Sequence, residues 1–560
     1  MGWGSTTLAF SAAAAAVVTS LAKIGTRLDV SRAKRRSMPD HGRIARWLAS
    51  LIPFYEYDDL RFFGSDDAPA EIVARRRECF MRLSEHYRTR FAQTIRRSAE
   101  LAVGVSDLQF TDAYRVPFQY SRFVRRHFPT SALAQSSTGV MLTDLDGNQL
   151  YEVGGSYGVN VLGYESYKGM IERGIERVRT LGPVLGPYHP IVAENVERLK
   201  QISGLDEVSF HMSGTEAIMQ AVRLARYHTG RSHLVRFRGA YHGWWGDVQP
   251  GIGNPLPARE TYTLEELSED SLRVLRRRRD VACVLVNPLQ ALHPNAAPPA
   301  DSSLIGSTGG HQFDRAVYAD WLTQLREVCS CRGIVLIFDE VLVGFRLGIG
   351  GAQEYFGVAA DLVTYGKTVG GGLPIGVLCG RADLMKRFRD DRPVDICFAR
   401  GTFNSHPYVM AAMNEFLRHL ETPRARDLYG NADAVWNGRA GRLNERLRAE
   451  GLPIEVRNLS SIWSIHYARP SRYNWMLQFY LRAEGLMLGW IGTGRLIFSL
   501  DYGETDFAAV AERFVAAAKA MQQDGWWWTD PRTTDASIRR RLLKEMLVQK
   551  LFPARHRAGG

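Results

Sequence analysis

Cysteine is scarce in this sequence, and its scarcity excludes several classes of protein. Six cysteines occur among 560 residues, and none forms a C-x-x-C pair. The sequence therefore predicts neither a disulfide scaffold nor a zinc ribbon or thioredoxin-type site. A reducing, cytoplasmic setting is expected.

The central part of the chain also lacks an excess of one charge. Hydrophobic residues make up 45% and charged residues 23%, which is typical of a soluble globular protein. The net charge is +12, but residues 1–110 and 526–560 carry +5 each, which leaves about +2 for the rest. We therefore expect no nucleic acid partner.

No run is long enough for an ordinary membrane span, although both ends are apolar and basic. Residues 7–22 are apolar but short for a span of about 20 residues, and the basic residues follow them, unlike those of a signal peptide. Near the other end, Trp526 precedes a basic segment with leucines at helical spacing. These patterns are typical of peripheral membrane association or of helices packed on the protein, and both interpretations stay open.

The hydrophobic pattern changes along the chain, from helical periodicity to an alternation of strands and helices. Residues 40–110 are charged with helical periodicity, whereas short apolar strands alternate with helices from about residue 115. This alternation predicts an α/β fold with a mostly parallel sheet. The expected units are a helical extension (1–110), the first part of a small domain (111–165), a large domain (166–415), the rest of the α+β small domain (416–525) and an amphipathic tail (526–560).

Ser213-Gly214-Thr215-Glu216 follows a predicted strand and opens a helix. The S-x-x-E spacing is that of a capping box, so it indicates a helix start. Free backbone N–H groups at such a start also suit a phosphate. On these residues alone, a cap and a phosphate site are equally supported.

Two further residues carry chemistry. Asp339 ends an apolar strand, where open α/β sheets collect ligands, and a buried carboxylate there needs a cationic partner. Lys367 lies 28 residues later among glycines. It does not belong to a P-loop, because Asp361 stands where that motif needs its first glycine. No clustered metal ligands lie nearby, so no metal is expected.

Taken together, these parts match the needs of pyridoxal phosphate. Its phosphate needs a helix start, its aldehyde needs a lysine, and its ring nitrogen needs a carboxylate. An aromatic side chain such as Tyr241 suits the ring face.

The sequence resembles the class III, fold-type I pyridoxal-phosphate aminotransferases, particularly the glutamate-1-semialdehyde aminomutase-like branch. The resemblance covers roughly residues 115–525. The matching stretches are Met212–Ala217, Arg223–Arg226, Gly239–Gly243, Phe338–Val341, Gly344–Arg346, Gly350–Gln353, Tyr365–Lys367, Gly370–Pro374, Gly401–Phe403 and Asp144–Asn148.

The resemblance implies a role for each matching residue. Lys367 is expected to bind the cofactor aldehyde and then to move a proton, and Asp339 to pair with the ring nitrogen. Thr402 is expected to reach the phosphate of a neighbouring subunit, which implies a homodimer with shared active sites. The remaining cofactor residues implied are Ser213, Gly214, Thr215, Tyr241, His242 and Val341.

Departures from the family pattern affect the substrate pocket. Asn287 stands where many relatives have glutamate, and Tyr157, beside Ser156, stands where the aminomutases often have tryptophan. Arg495 aligns with an arginine that binds a substrate α-carboxylate in some class III enzymes, but its surroundings also resemble the branch that lacks this use.

The predicted function is transfer of an amino group from an amine or amino-acid donor to a carbonyl acceptor. An intramolecular aminomutase is the first alternative, and a non-catalytic scaffold is the second. The apolar ends add the hypothesis of a long-chain or carrier-tethered acceptor near a membrane.

Overall fold

The structure is a computed structural model that describes residues 23–34, 42–128, 132–249, 253–256, 258–293, 295, 313–489 and 494–551. The apolar run at 7–22 lies outside these ranges. Within them, no helix has both the length and the apolar character needed to cross a membrane.

Helices and strands alternate through most of the chain. Residues 23–33 are helical. The helices that follow are α1 Gly42–Leu51, α2 Asp59–Gly64, α3 Ala70–Arg90, α4 Ala92–Ala102, α5 Ser106–Tyr114, α6 Phe118–His127, α7 Tyr164–Val178, α8 Ile191–Ser203, α9 Gly214–Thr229, α10 Glu269–Arg277, α11 Arg315–Arg332, α12 Gly351–Phe356, α13 Ala382–Met385, α14 Pro407–Leu420, α15 Pro423–Gly430, α16 Ala432–Ala449, α17 Leu477–Ala483, α18 Glu504–Gln523 and α19 Asp535–Leu551.

The strands fall mainly in the middle of the chain. They are β1 Ala134–Thr138, β2 Met141–Asp144, β3 Gln149–Glu152, β4 Glu207–His211, β5 His233–Phe237, β6 Thr261–Leu264, β7 Val281–Val286, β8 Val335–Asp339, β9 Leu362–Gly366, β10 Gly376–Gly380, β11 Phe388–Arg389, β12 Arg392–Ile396, β13 Ile454–Leu459, β14 Ile462–Tyr467, β15 Leu486–Met487 and β16 Arg495–Ile497.

A seven-stranded sheet forms the centre of the large domain. Its order is β4-β10-β9-β8-β7-β5-β6, and β10 alone runs antiparallel to its neighbours. Every residue of β7 and β8 is buried, as expected when helices cover both faces of a sheet. The predicted α/β fold with a mostly parallel sheet is confirmed.

The small domain combines segments from both sides of the large one. A four-stranded sheet has the order β1-β2-β3-β15, in which β15 pairs in parallel with β3. A second sheet contains β13, β14 and β16. Residues before and after the large domain therefore share one sheet. The N–H of Ile497 in β16 also donates to the carbonyl of Val153 at 2.8 Å, which brings β16 beside the turn after β3.

The tail helix α19 meets both the segment around Tyr57 and the small domain. Glu545 of α19 is buried, accepts a hydrogen bond from the Tyr57 hydroxyl and pairs with Arg472, whose Nη1 lies 2.9 Å from Oε1. Trp526 is fully buried. The tail helix is thus docked on its own protein, although Leu543 remains exposed on its outer face.

Candidate active site

The start of α9 has the features of a site for an anionic group. Ser213 caps the helix, and its Oγ accepts a hydrogen bond from the N–H of Glu216 at 3.3 Å. Gly214 leaves room for a close neighbour, because a Cβ there would lie 2.7 Å from Cγ1 of Val341. The free N–H groups of this first turn border a cavity, as phosphate binding requires.

Asp339 is the last residue of β8 and lies at the carboxyl edge of the sheet. It is buried, its Oδ2 lies 2.7 Å from Nδ1 of His242, and its Oδ1 accepts from the N–H of Val341 at 3.1 Å. The next carboxylate, Glu340, points to the other side and accepts from the N–H groups of Ala352 and Gln353. Successive side chains along a strand point to opposite faces, so Asp339 faces the cavity and Glu340 faces away from it.

His242 keeps Asp339 in place. Burial lowers the pKa of His242, although the Asp339 carboxylate opposes this, so the imidazole is neutral with its proton on Nδ1. Its Nε2 is buried and has no hydrogen bond to a described residue. Asn287, at the position of the family's glutamate, donates from Nδ2 to the carbonyl of Tyr241 at 3.0 Å and so positions that aromatic residue.

Lys367 follows β9 directly and adopts the left-handed conformation, with φ 51°. Such strain in a non-glycine residue is concentrated at functional sites. Burial lowers the pKa of Lys367, while Asp339 acts in the opposite direction. The amine makes no hydrogen bond or ion pair to another described residue, so it is available to a ligand.

One cavity of about 420 Å³ collects most of the predicted site. Eight predicted cofactor residues and two predicted substrate residues line it: Ser213, Gly214, Thr215, Tyr241, His242, Asp339, Val341, Lys367, Asn287 and Arg495. Thr402 is exposed and does not line it. Ser156 and Tyr157 line a different cavity, on the far side of the turn that they form.

Arg495 adds positive charge to this cavity. Burial lowers the pKa of its guanidinium, which makes no hydrogen bond or ion pair to a described residue. An incompletely solvated cation without a protein partner favours an anionic group of a ligand.

Arg346 is an organising residue whose role the sequence did not reveal. It is fully buried and donates to the carbonyls of Gly158, Asn160 and Phe498 and to Ser461 Oγ, at 2.5–3.3 Å. It thus fixes the turn after β3 against the strand β16. The sequence showed Arg346 as part of the Gly344–Arg346 motif but gave no sign of its role, because its partners are distant in sequence.

The donor set fits pyridoxal phosphate. A helix start faces the cavity, a desolvated lysine amine makes no hydrogen bond to the residues that the structure describes, and a carboxylate held by two hydrogen bonds lies on the same cavity. These groups match the phosphate, the aldehyde and the ring nitrogen of that cofactor.

Comparison with known proteins agrees with this geometry. The model of the class-III aminotransferase family matches residues 123–247 and 304–517, more than half of the chain. The chain belongs to this family. Its cofactor is accordingly pyridoxal phosphate, and it is a transaminase-type or aminomutase-type enzyme.

Individual relatives are similar over most of their length. A glutamate-1-semialdehyde 2,1-aminomutase of Alkaliphilus oremlandii is 34% identical over 308 residues, 52% of this chain and 67% of the relative. That of Geotalea daltonii is 30% identical over 416 residues, covering 69% and 90%. A solved structure described as a transaminase with PLP bound is 27% identical, with a TM-score of 0.58 and coverage of 70% and 92%.

Proposed function

We propose that this enzyme transfers an amino group from an amine or amino-acid donor to a separate carbonyl acceptor. One observation carries the proposal: Lys367, Asp339 and the start of α9 come from three separate elements and border a single cavity of about 420 Å³. Amino transfer needs a nucleophile, a fixed carboxylate and a phosphate anchor around one small ring.

Each of these residues has a defined task. Pyridoxal phosphate supplies an aldehyde and an electron-withdrawing ring when bound. Burial lowers the pKa of Lys367, which favours the unprotonated amine; this amine would act as the nucleophile and afterwards move a proton at the substrate carbon. Asp339, oriented by His242, holds the proton on the ring nitrogen. Ser213, Gly214 and Thr215 bind the phosphate.

Half-reactions test the proposal. The cofactor-loaded protein is mixed with single amines or amino acids, freed of small molecules, and then offered single aldehydes or ketones. We expect the absorbance of the bound cofactor to change with a donor and to return with an acceptor. An unchanged spectrum with every donor, in protein shown to hold the cofactor, would contradict the proposal and favour the non-catalytic scaffold.

The aminomutase is a second candidate because the compared relatives carry that name at 30–34% identity. An aminomutase differs from a transaminase because it needs no separate amino donor. Enzyme loaded with the amine form of the cofactor is given glutamate 1-semialdehyde alone. Catalytic rearrangement without any added donor supports the aminomutase, whereas a single discharge that stops after one equivalent supports the transaminase.

Arg495 is proposed to bind the carboxylate of an amino-acid donor. Its guanidinium lines the cavity and makes no ion pair within the described part of the chain, which supports this role. Arg495→Met is expected to raise KM for amino-acid donors about tenfold or more, because a hydrogen-bonded charge pair is lost, and to leave KM for amines without a carboxylate unchanged. An equal effect on both donor classes would contradict the role.

A homodimer is also proposed. Thr402 lies outside its own cavity and is exposed, and the nearby side chains of Val394, Phe398 and Phe403 are 92%, 68% and 51% exposed. Such a cluster of exposed apolar groups is typical of an interface. Sedimentation of the holoenzyme should give twice the mass of one chain, and a monomer at micromolar concentration would contradict it.

A carrier or membrane partner has no supporting contact among the described residues.

A further inference from the structure

A second cavity, of about 590 Å³, lies beside the first. Leu108, Phe110 and Thr111 of α5 line one side, and Leu142, Met487 and Leu488 line another. The N-terminal extension therefore builds part of this cavity, which lies within the 300–1,000 Å³ range of small-molecule sites.

A single turn, Gly155–Gly158, separates the two cavities. Gly158 lies next to Lys367, since a Cβ at Gly158 would be 3.3 Å from Cδ of Lys367. Ser156 and Tyr157, one and two residues earlier, border the second cavity instead. A chain that starts at Lys367 and passes this turn therefore reaches the second cavity.

The turn is held in a strained conformation. Ser156 and Tyr157 have φ 43° and 58°, in the left-handed region that non-glycine residues avoid. The carboxylate of Glu152 accepts from the N–H groups of Gly154 and Ser156 at 3.0 and 3.1 Å. Strain retained by such contacts at the edge of an active site is typical of a functional element.

The lining of the second cavity indicates what it binds. Tyr157 is 57% and Phe110 is 54% exposed, so large rings face solvent at its border. Among the described residues, its charged lining consists of two acids, Asp107 and Glu152, and one arginine, Arg115. This balance disfavours an anionic group, whereas the aliphatic and aromatic side chains favour a hydrocarbon.

Resting on the proposed function, we propose that the second cavity binds the uncharged hydrocarbon chain of the carbonyl acceptor. The carbonyl end lies at Lys367, and the chain passes the Gly155–Gly158 turn to lie between α5 and the small-domain sheet. The acceptor class is thus a medium-chain aliphatic aldehyde or ketone.

The rate of discharge of the amine-loaded holoenzyme by straight-chain aldehydes tests this assignment. From propanal to decanal, the second-order rate constant should rise up to about fourfold per methylene until the cavity is filled. An aldehyde of equal length ending in a carboxylate should react more slowly. Rate constants independent of chain length would overturn the assignment.

Variants that fill the second cavity test whether the dependence of the rate on chain length arises there. Leu108→Trp should remove the dependence on chain length and leave the reaction with propanal unchanged. The matched control is Val103→Trp, because Val103 is 85% exposed and does not line the cavity. Thr111→Phe gives a second filled variant should Leu108→Trp fail to fold. An unaltered chain-length dependence in a folded, filled variant would contradict the proposal.

Binding of octan-1-ol to the holoenzyme, measured by calorimetry, provides a readout independent of turnover. We expect saturable binding in the wild type and in Val103→Trp, and its loss in Leu108→Trp. Absent binding in an enzyme that completes both half-reactions would overturn this inference alone. An enzyme that binds octan-1-ol but accepts no amino group would instead contradict the proposed function.

Discussion

Replacing Glu545 by glutamine tests how the tail helix α19 is attached to the rest of the protein. Glu545 is 6% exposed and is surrounded by Arg472, Arg61 and the hydroxyl of Tyr57. Burial raises the pKa of Glu545, but the hydrogen bonds and the charge of Arg472 outweigh it and lower the pKa to about 2 from a reference of 4.5. The carboxylate is therefore stabilised in the folded protein.

The size of this effect follows from the shift in pKa. The decrease from 4.5 to about 2 corresponds to about 3.4 kcal/mol, and solvent screening around α19 reduces this to about 2–3 kcal/mol. Because the folded-state pKa is depressed, the stabilisation is complete above the unfolded pKa and is lost as the pH falls toward 2. About half of it should remain at pH 3.

Hydrogen exchange of α19 measures the change directly. At pH 7, Glu545→Gln should speed exchange of peptides from residues 535–551 by about 30- to 150-fold, since local opening becomes easier by 2–3 kcal/mol. The difference from wild type should shrink as the pH falls below 4.5. Glu100→Gln is the control, because the Glu100–Arg97 pair is about half exposed and contributes at most about 0.5 kcal/mol. Equal effects of the two variants would refute the reasoning.

Two further predictions concern the cofactor cavity. Asp339→Asn removes the charge that we propose holds the ring proton, so kcat should fall about 100-fold while the far-ultraviolet circular dichroism stays unchanged. A fall of less than threefold would contradict the proposed role of Asp339. Gly214→Ala forces a methyl group toward Val341, so the dissociation constant for pyridoxal phosphate should rise by a factor that corresponds to about 1–3 kcal/mol. The double variant, Gly214→Ala with Val341→Ala, should recover part of the lost affinity. An equally weak double variant would show that the contact with Val341 is not the cause.

Local sequence patterns predicted the elements that carry the chemistry. The strand before Asp339 and the capped helix after Ser213 appear where apolar runs and the S-x-x-E spacing indicated them. These signals are short-range, since a buried strand and a helix cap depend on a few adjacent residues. The helical periodicity of residues 40–110 did not show where one helix ends and the next begins, and α3 and α4 meet at Phe91.

Contacts between distant segments could not be predicted from the sequence. Arg346 binds carbonyls 152 and 186–188 residues away, and Glu545 bonds to Tyr57, 488 residues away. Nothing local marks such partners, because tertiary packing alone brings them together. The same holds for Ser156 and Tyr157, since the placement of α5 against their turn creates the second cavity.

The most direct test of the central claim is to identify the lysine that holds the cofactor. The holoenzyme is reduced with borohydride, digested and examined by mass spectrometry. We predict one pyridoxyl phosphate adduct per chain, on Lys367, and none on Lys367→Ala. An adduct on another lysine, or an unlabelled Lys367 in protein that holds the cofactor, would contradict the account.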